Sequence, residues 1–354
     1  MSSSDDLIRR LEYYISNVAI IWIALIFYRT NRYYIGFLRQ DTQDALLYLA
    51  LAYTILGLLI YVLLPLKDLQ ESKGSIVIKT LRRLFKDTRV YLNNFTSNPD
   101  LPSPEVDHHG KTAILFTLVK LFFLPLLLNF FFGNYSHSVE VLQVLLSDGR
   151  EISIDSFNQF IYPFLMSLFF AIDTAYYAFG YSVEAGFLGN KVRSVEPTFL
   201  GWIVALMCYP PFNTFVTDNY TGWYVNDYIN FSSANITFLV RMLIIMSYFV
   251  YVTASIALGA KCSNLTNRGI VTNGPYAIVR HPAYASKNFA WWLTVIPLLN
   301  FANPSELVVI FAATFFWTFI YYLRAITEER HLIKDPDYVE YCSRVRYRFI
   351  PYVY

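Results

Sequence analysis

The chain has 354 residues, of which 55% are hydrophobic and only 15% are charged. An average soluble domain has about 25% charged residues, so this composition is typical of a membrane protein. The net charge of +2 excludes the strongly basic field that a nucleic-acid partner requires. Cys208, Cys262 and Cys342 lie far apart in the sequence, which argues against a disulfide framework and a zinc site. We therefore expect no nucleic-acid partner and no metal.

Long apolar runs follow one another along the whole chain. A helix needs about 20 mostly apolar residues to cross ~30 Å of hydrocarbon. Candidate spans lie at residues 13–28, 45–66, 112–132, 160–179, 198–215, 236–260, 288–300 and 306–325. The seventh run is short, and with the eighth it predicts a helical hairpin whose turn lies at residues 300–305. We predict an all-α, polytopic membrane protein with about eight transmembrane segments.

The distribution of basic residues predicts the orientation in the membrane. Residues 67–111 contain eight lysines and arginines, which places this loop in the cytoplasm. Within it, residues 75–89 have the pattern of an amphipathic helix that lies either on an anionic leaflet or in solvent. Counting spans from this loop places both termini in the cytoplasm. Arg29, Arg32 and Arg39 then fall on the outer side, against the rule; either the first span is misjudged or these side chains snorkel to the membrane surface. The expected location is a bacterial inner membrane, with the endoplasmic reticulum as the alternative.

Three ionisable residues interrupt the apolar spans. Asp173 lies in the fourth span, Lys120 in the third and Arg241 in the sixth. Such groups at membrane depth usually face a cavity or a partner. In the fifth span, the Pro210–Pro211 pair must break or bend the helix, because proline removes a backbone donor and clashes with the preceding turn.

A polar stretch at residues 273–287, NGPYAIVRHPAYASK, separates the sixth and seventh spans. Asn-Gly-Pro is a turn by residue type. Pro282 favours an extended backbone at His281. The stretch is therefore predicted to be short and irregular, with Tyr276, Arg280, His281 and Tyr284 pointing in different directions. Irregular backbone near a membrane is tolerated where it lines a protein cavity.

Two further stretches follow the last span. In RAITEERHL, residues 324–332, Arg324 and Glu328 are four residues apart, so they share a helix face and can pair. The carboxylates of Glu328 and Glu329 could hold an ammonium group or ribose hydroxyls. In the tail, apolar residues recur at helical spacing from Tyr338 to Val345, and this helix must end before Pro351.

The order and spacing of the three stretches resemble those of the isoprenylcysteine carboxyl methyltransferases and the related phospholipid N-methyltransferases. The resemblance covers about residues 260–354 and predicts a methyltransferase module at residues 201–354, with a cytoplasmic pocket for S-adenosylmethionine. It implies that Arg324 is catalytic and faces the acceptor, where the family binds a carboxylate. The cofactor-binding residues implied by the resemblance are Tyr276, Val279, Arg280, His281, Tyr284, Glu328 and Glu329.

This resemblance predicts an S-adenosylmethionine-dependent methyltransferase of the membrane. Its acceptor would be lipophilic or small: an isoprenylcysteine-like carboxylate, a thiol or a lipid that arrives sideways from the bilayer. Residues 1–200 would form a substrate or accessory region, with its transmembrane helices and the basic loop. We expect Asp173 and Trp292 to contact the acceptor. The sequence leaves the acceptor and the oligomeric state open.

Two other functions stay open at this point. Residues 345–354 also resemble the end of the membrane sterol reductases, which use NADPH, so a reductase of lipid double bonds is the first alternative. Pro282 and the Glu328–Glu329 pair favour the methyltransferase. The methyltransferases commonly have glycine after the tyrosine of the R-H-P-x-Y motif, whereas here Ala285-Ser286-Lys287 follows. The second alternative is a transporter or receptor without enzymatic activity, which would use Asp173 and Lys120.

Overall fold

The computed structural model describes residues 3–63, 71–94, 103–147, 151, 153–296 and 303–353. The structure is 78% helical with almost no sheet, which confirms the predicted all-α class. The chain divides into two compact units, residues 1–129 and residues 130–354. The predicted boundary at residue 200 separates a substrate or accessory region from the methyltransferase module. It concerns function and not compactness, and it stays a prediction.

The described part of the first unit consists of long helices and one helix of six residues. They are α1 (Ser3–Thr30), α2 (Arg32–Phe37), α3 (Gln40–Leu63), α4 (Lys73–Asn94) and the first half of α5 (His108–Ser147). Its apolar core joins α1, α3 and α5 around Leu25, Tyr28 and Leu46. Helix α4 confirms the predicted amphipathic helix: its first turns are buried, whereas Phe85 and the neighbouring Arg82 are exposed.

The second unit contains the remaining helices and one short antiparallel strand pair. Its elements are α6 (Ile154–Ser156), a π-helical turn (Phe157–Ile161), α7 (Tyr162–Ser182), a 3-10 turn (Gly186–Leu188), β1 (Ser194–Val195), α8 (Phe199–Leu206), α9 (Phe212–Val216), a π-helical turn (Thr217–Thr221), α10 (Ala234–Leu258), 3-10 turns (Gly259–Lys261 and Gly274–Ala277), β2 (Thr266–Asn267), α11 (Pro282–Val295), α12 (Pro304–Leu332) and α13 (Pro336–Arg344). In the strand pair, Ser194 lies opposite Asn267 and Val195 opposite Thr266.

Six helices of the described residues are long and apolar enough to cross a membrane. They coincide with six of the eight predicted segments and confirm the polytopic membrane class. The predicted fifth segment is instead two short helices, because α8 ends at Leu206, before Pro210–Pro211, and α9 begins at Phe212. The predicted seventh segment is α11, of which 14 residues are described. Residues 300–302 of the predicted hairpin turn lie outside the described residues, and α12 already begins at Pro304.

The polar stretch before α11 is shorter than predicted. We expected irregular backbone as far as Lys287, but α11 begins at Pro282. Proline is well suited to the first turn of a helix, where its missing N–H is not needed. The irregular part therefore ends at His281, and the side chains that follow share the regular spacing of a helix.

Helix α10 shows how the second unit is organised. Ile244 and Tyr248 are fully buried against α7 and α11, with Tyr162, Met166 and Ala290. The opposite face exposes apolar side chains at helical spacing, which suits contact with lipid; they are Leu239, Leu243, Met246 and Phe249. A buried apolar stripe and an exposed apolar stripe on one helix are typical of a transmembrane helix.

Arg241 of α10 is a structural residue. Its guanidinium donates hydrogen bonds to the carbonyl oxygens of Tyr228 (2.9 Å), Ile229 (3.2 Å) and Asn158, and to Asn230 Oδ1 (3.0 Å). These bonds fix the loop before α10 against the π-helical turn that precedes α7, so a ligand is not needed to explain this buried charge.

Candidate functional site

A cavity in the second unit is lined by all three polar stretches of the sequence. The residues from these stretches that line it are Tyr276, Arg280, His281, Ala283, Tyr284, Arg324, Thr327, Glu328, His331, Leu332, Tyr338 and Tyr341. The structure thus brings together side chains that lie up to 65 residues apart, such as Tyr276 and Tyr341. Of the predicted cofactor-binding residues, Val279 and Glu329 do not line the cavity, and both are buried.

The C-terminal tail holds the first stretch in place. The backbone N–H groups of Arg280 and His281 donate to the carbonyl oxygens of Tyr347 and Arg348, both at 2.9 Å. Tyr341 of α13 also donates to the carbonyl oxygen of Tyr276, at 2.7 Å. Tyr338 and Tyr341 are buried, which confirms the helical pattern predicted for the tail. The tail therefore forms one wall of the cavity.

Glu329 is a buried anchor behind the cavity. Its Oε1 lies 3.2 Å from His281 Nε2 and 3.3 Å from Arg280 Nε, and its Oε2 accepts from Arg348 Nε at 2.9 Å. The side chain is only 10% exposed. Because both oxygens are engaged by the first stretch and the tail, Glu329 ties these two segments to α12.

Glu328, in contrast, faces the cavity with its side chain 43% exposed. It accepts a hydrogen bond from Tyr284 Oη at 2.8 Å. The Tyr284 ring stacks on the His281 ring, with 5.5 Å between centroids and 5° between planes. A carboxylate next to an aromatic wall can hold a cationic or hydroxyl-bearing ligand.

Arg324 lies where the cavity meets α11 and α12. Its guanidinium carbon is 5.2 Å from the ring centre of Tyr284, 5.7 Å from that of Tyr209 and 5.8 Å from that of Tyr321. It donates a hydrogen bond to Asn264 Oδ1. Among the residues that the structure describes, no carboxylate lies within 4.0 Å of it.

The predicted Arg324–Glu328 pair is therefore wrong. The three tyrosine rings and Asn264 hold the guanidinium, and Glu328 is turned toward Tyr284 instead. A buried guanidinium without an ion pair still attracts an anion, because its charge is poorly solvated.

The segment from Ser263 to Val271 lines the opposite wall, and sequence analysis missed it. It includes Asn264 and Arg268; burial lowers the pKa of the Arg268 guanidinium. Burial likewise raises the pKa of the Tyr276 phenol well above its ordinary value, so this hydroxyl stays neutral. Strand β2 within the segment is only two residues long, and no periodic pattern marks it.

The predicted acceptor residues lie outside the cavity lining. Asp173 of α7 accepts hydrogen bonds from Tyr251 Oη (2.8 Å) and from Ser255, both on α10. Trp292 of α11 donates to Thr318 Oγ1 of α12 at 3.1 Å and stacks on Phe311. Both residues tie helices together, and an acceptor contact for either stays a prediction.

No group of three or more His, Cys, Asp and Glu side chains in the described parts of the chain could hold a metal ion. The cavity therefore offers a ligand aromatic faces, hydroxyls, amides and fixed charges. These groups bind and orient a ligand by hydrogen bonds and electrostatics.

Comparisons with known proteins agree with this geometry. Residues 236–334 match the sequence model of the isoprenylcysteine carboxyl methyltransferase (ICMT) family. This segment contains all but the first two residues of α10, the whole of α11 and α12, and most of the cavity lining. A comparison with curated proteins gives no match to the chain. The C-terminal third of this membrane protein is thus similar to the ICMT family of methyltransferases, as its motifs predicted.

Proposed function

We propose that the chain is an integral membrane methyltransferase that uses S-adenosylmethionine, and that the cavity of the second unit binds this cofactor. The observation that carries the proposal is that the three polar stretches line one cavity. Arg324 also lines this cavity and forms no ion pair with any residue that the structure describes. The match to the methyltransferase family supports the reaction class.

The residues of the cavity fit the chemistry of this cofactor. S-adenosylmethionine carries an ammonium, a sulfonium, a carboxylate and ribose hydroxyls. Glu328 offers a carboxylate to the cationic or hydroxyl groups, and Lys261 and Arg268 offer cations to the carboxylate. The ring of Tyr276 suits a cation, which is attracted by the quadrupole of an aromatic ring.

We assign two different roles to the predicted cofactor-binding residues, direct contact with the cofactor and support of the contacting side chains. Tyr276, His281, Tyr284 and Glu328 would contact the cofactor from the cavity wall. Val279 and Glu329 are buried and do not line the cavity, and they would hold these residues in place. Arg280 lines the cavity, but its Nε lies 3.3 Å from Glu329 Oε1, so we assign it the same supporting role.

When bound, S-adenosylmethionine supplies an electrophilic methyl group. The protein then has to align the acceptor with it and exclude water. Arg324 would bind and orient an anionic acceptor, because its guanidinium is desolvated among aromatic rings. A lipophilic acceptor would arrive from the bilayer between helices, and we propose that the cavity itself opens to the cytoplasm.

Methyl transfer tests this proposal directly. The full chain in lipid nanodiscs is incubated with methyl-tritiated S-adenosylmethionine and a total lipid extract. We expect tritium in the organic phase for the wild type and at least about a hundredfold less for Arg324→Met, as for loss of a key charged contact. Arg344→Met is the matched control, because Arg344 is exposed on α13, does not line the cavity and forms an ion pair with the exposed Glu340. Equal transfer by the wild type and the Arg324 variant would contradict the assigned role.

A further inference from the structure

Helix α4 of the first unit leaves an apolar stripe uncovered. Residues 74–77 are buried, whereas residues 81–94 are exposed or half-buried. In this exposed half, Leu81 is 49%, Phe85 73% and Leu92 66% exposed. The three side chains lie at positions i, i+4 and i+11, so they share one face of the helix. We call this face the α4 stripe.

The first turns of α4 are attached to α1 where α1 changes from charged to apolar. Glu12 is the last charged residue before the apolar run of α1, because residues 13–28 contain no Asp, Glu, Lys or Arg. Its Oε1 accepts from Ser75 Oγ at 3.1 Å and lies 3.1 Å from Lys79 Nζ. Such a change in composition marks the membrane boundary, where a helix passes from water into hydrocarbon.

A second attachment lies further along α4, at the corresponding point of α5. The apolar run of α5 begins after Lys111. Arg83 forms an ion pair with Asp107, which directly precedes α5. A Cβ atom on Gly110 would overlap the side chain of Thr80, so the two helices are in close contact there. These contacts hold α4 at the charged end of α5.

The direction of α4 follows from these two attachments. Ser75 and Arg83 are eight residues apart, which is about 12 Å along a helix axis. A helix that crossed the membrane would place them at depths that differ by this amount, yet both contact the charged end of a long apolar helix. Helix α4 therefore runs along the membrane boundary. Residues 84–94 contain no proline or glycine and continue in this direction.

The charges of α4 indicate which surface it meets. The helix has six lysines and arginines and one aspartate. Arg82, Lys86 and Arg89 are exposed and lie at positions i, i+4 and i+7, on the face next to the α4 stripe. In the described part of the chain, none of the three has a carboxylate within 4.0 Å. Basic side chains beside an apolar face can reach lipid phosphates, and anionic lipids attract them further.

We propose that residues 81–94 lie in the head-group layer of an anionic leaflet. The α4 stripe is then in contact with the acyl chains, and Arg82, Lys86 and Arg89 bind the phosphates. The partner is the surface of a bilayer that contains anionic phospholipid. The two attachments favour this leaflet over solvent, a choice that the sequence alone left open. This lipid contact does not rest on the proposed function, because it involves neither the cavity nor a cofactor.

Hydrogen exchange of the full chain in lipid nanodiscs tests this placement. One preparation contains phosphatidylcholine alone, and the other contains about one third phosphatidylglycerol to supply negative charge. In the anionic nanodisc, we expect the amides of residues 84–92 to exchange at least about tenfold more slowly, because each cation adds to the attraction. Added salt should reduce this difference, because it screens exposed charges.

Variants separate the charges of α4 from its apolar stripe. Neutralising the three exposed cations should abolish the difference between the nanodiscs; this variant is Arg82→Gln/Lys86→Gln/Arg89→Gln. The matched control removes three exposed charges from the C-terminal tail and should keep the difference; it is Lys334→Gln/Arg344→Gln/Arg346→Gln. Phe85→Ser keeps every charge and has a similar helix propensity. It should speed exchange in the anionic nanodisc by about threefold or more, because the apolar contact is weakened.

The wild type alone can overturn the proposal. Equally fast exchange in both nanodiscs would place residues 84–92 in solvent, and equally slow exchange would place them against protein. An equal loss of protection in the tail variant would show a general effect of net charge and would also overturn the proposal. So would a Phe85→Ser variant that is protected like the wild type. S-adenosylmethionine is not added, so the result is independent of whether the cavity binds it.

Discussion

Glu328 and Glu329 are adjacent in the sequence, yet the structure gives them different surroundings. Glu328 lines the cavity, whereas Glu329 is engaged by His281, Arg280 and Arg348. Successive residues of an α-helix point about 100° apart, so only one of the two can face the cavity. The sequence predicted that both glutamates bind the cofactor. It could not tell which one faces the cavity and which one is buried, because this depends on where Arg348 of the distant tail packs.

This difference predicts opposite behaviour for two conservative variants. Glu329→Gln should lower the free energy of unfolding by about 1–3 kcal/mol, because buried positive partners lose their carboxylate. Glu328→Gln should leave stability within about 0.5 kcal/mol, as expected for an exposed site, and weaken S-adenosylmethionine binding. Denaturant unfolding and ligand titration of both variants measure this. Equal loss of stability in the two variants would contradict the assignment.

At the scale of elements, hydropathy located the long helices but not the connections between them. Six spans were predictable because a lipid-facing helix must be apolar over its whole length. The pairing of β1 with β2 and the wall formed by residues 263–271 were not predictable, because they depend on contacts between residues about 70 positions apart. The break near Pro210 was predictable, because proline acts locally.

Close packing of α7 against the segment after α10 gives an element-scale prediction. A Cβ atom on Gly180 would lie 2.1 Å from the backbone oxygen of Cys262, at the start of the cavity wall. Backbone has to move to relieve such an overlap, so Gly180→Ala should cost about 1–3 kcal/mol in stability and weaken cofactor binding. Gly36→Ala is the control, because a Cβ there meets nothing within 4 Å. An unchanged melting temperature in Gly180→Ala would contradict this packing.

The start of α13 gives a pH-dependent prediction. Asp335 caps the helix by accepting from Asp337 N, and it accepts from Asn267 Nδ2 at 2.7 Å and Arg193 Nη1 at 2.8 Å. Burial alone would raise its pKa, but these hydrogen bonds and the charge of Arg193 hold the pKa of Asp335 below its ordinary value. Its contribution to stability is therefore complete above about pH 4, the ordinary value, and is lost as the pH falls through the lowered pKa.

Hydrogen exchange of the α13 amides measures this effect. At neutral pH, Asp335→Ala should speed their exchange, since losing a helix cap costs about 0.5–2 kcal/mol. The wild type should approach the exchange of the variant only in strong acid, after correction for the intrinsic rate. A wild type that already lost protection near pH 6 would show that another group controls the tail.

At the scale of the whole molecule, the family match and the cavity both lie in the second compact unit, residues 130–354. The first unit carries three of the six long apolar helices, wholly or in part, and the amphipathic α4. Motif spacing over about 90 residues was enough to predict that the three stretches lie around one cavity, because the cavity is built mainly from consecutive elements. The same spacing says nothing about residues 1–129, and a substrate or accessory role for them stays a prediction.

The central claim is that the cavity binds S-adenosylmethionine, and calorimetric titration of the purified full chain tests it most directly. We predict micromolar binding of S-adenosylmethionine, weakened by Glu328→Gln, and no binding of NADPH. Binding of NADPH alone would contradict the claim and favour a lipid reductase. Binding of neither ligand by a folded sample would also contradict it and would favour a protein without this enzymatic activity.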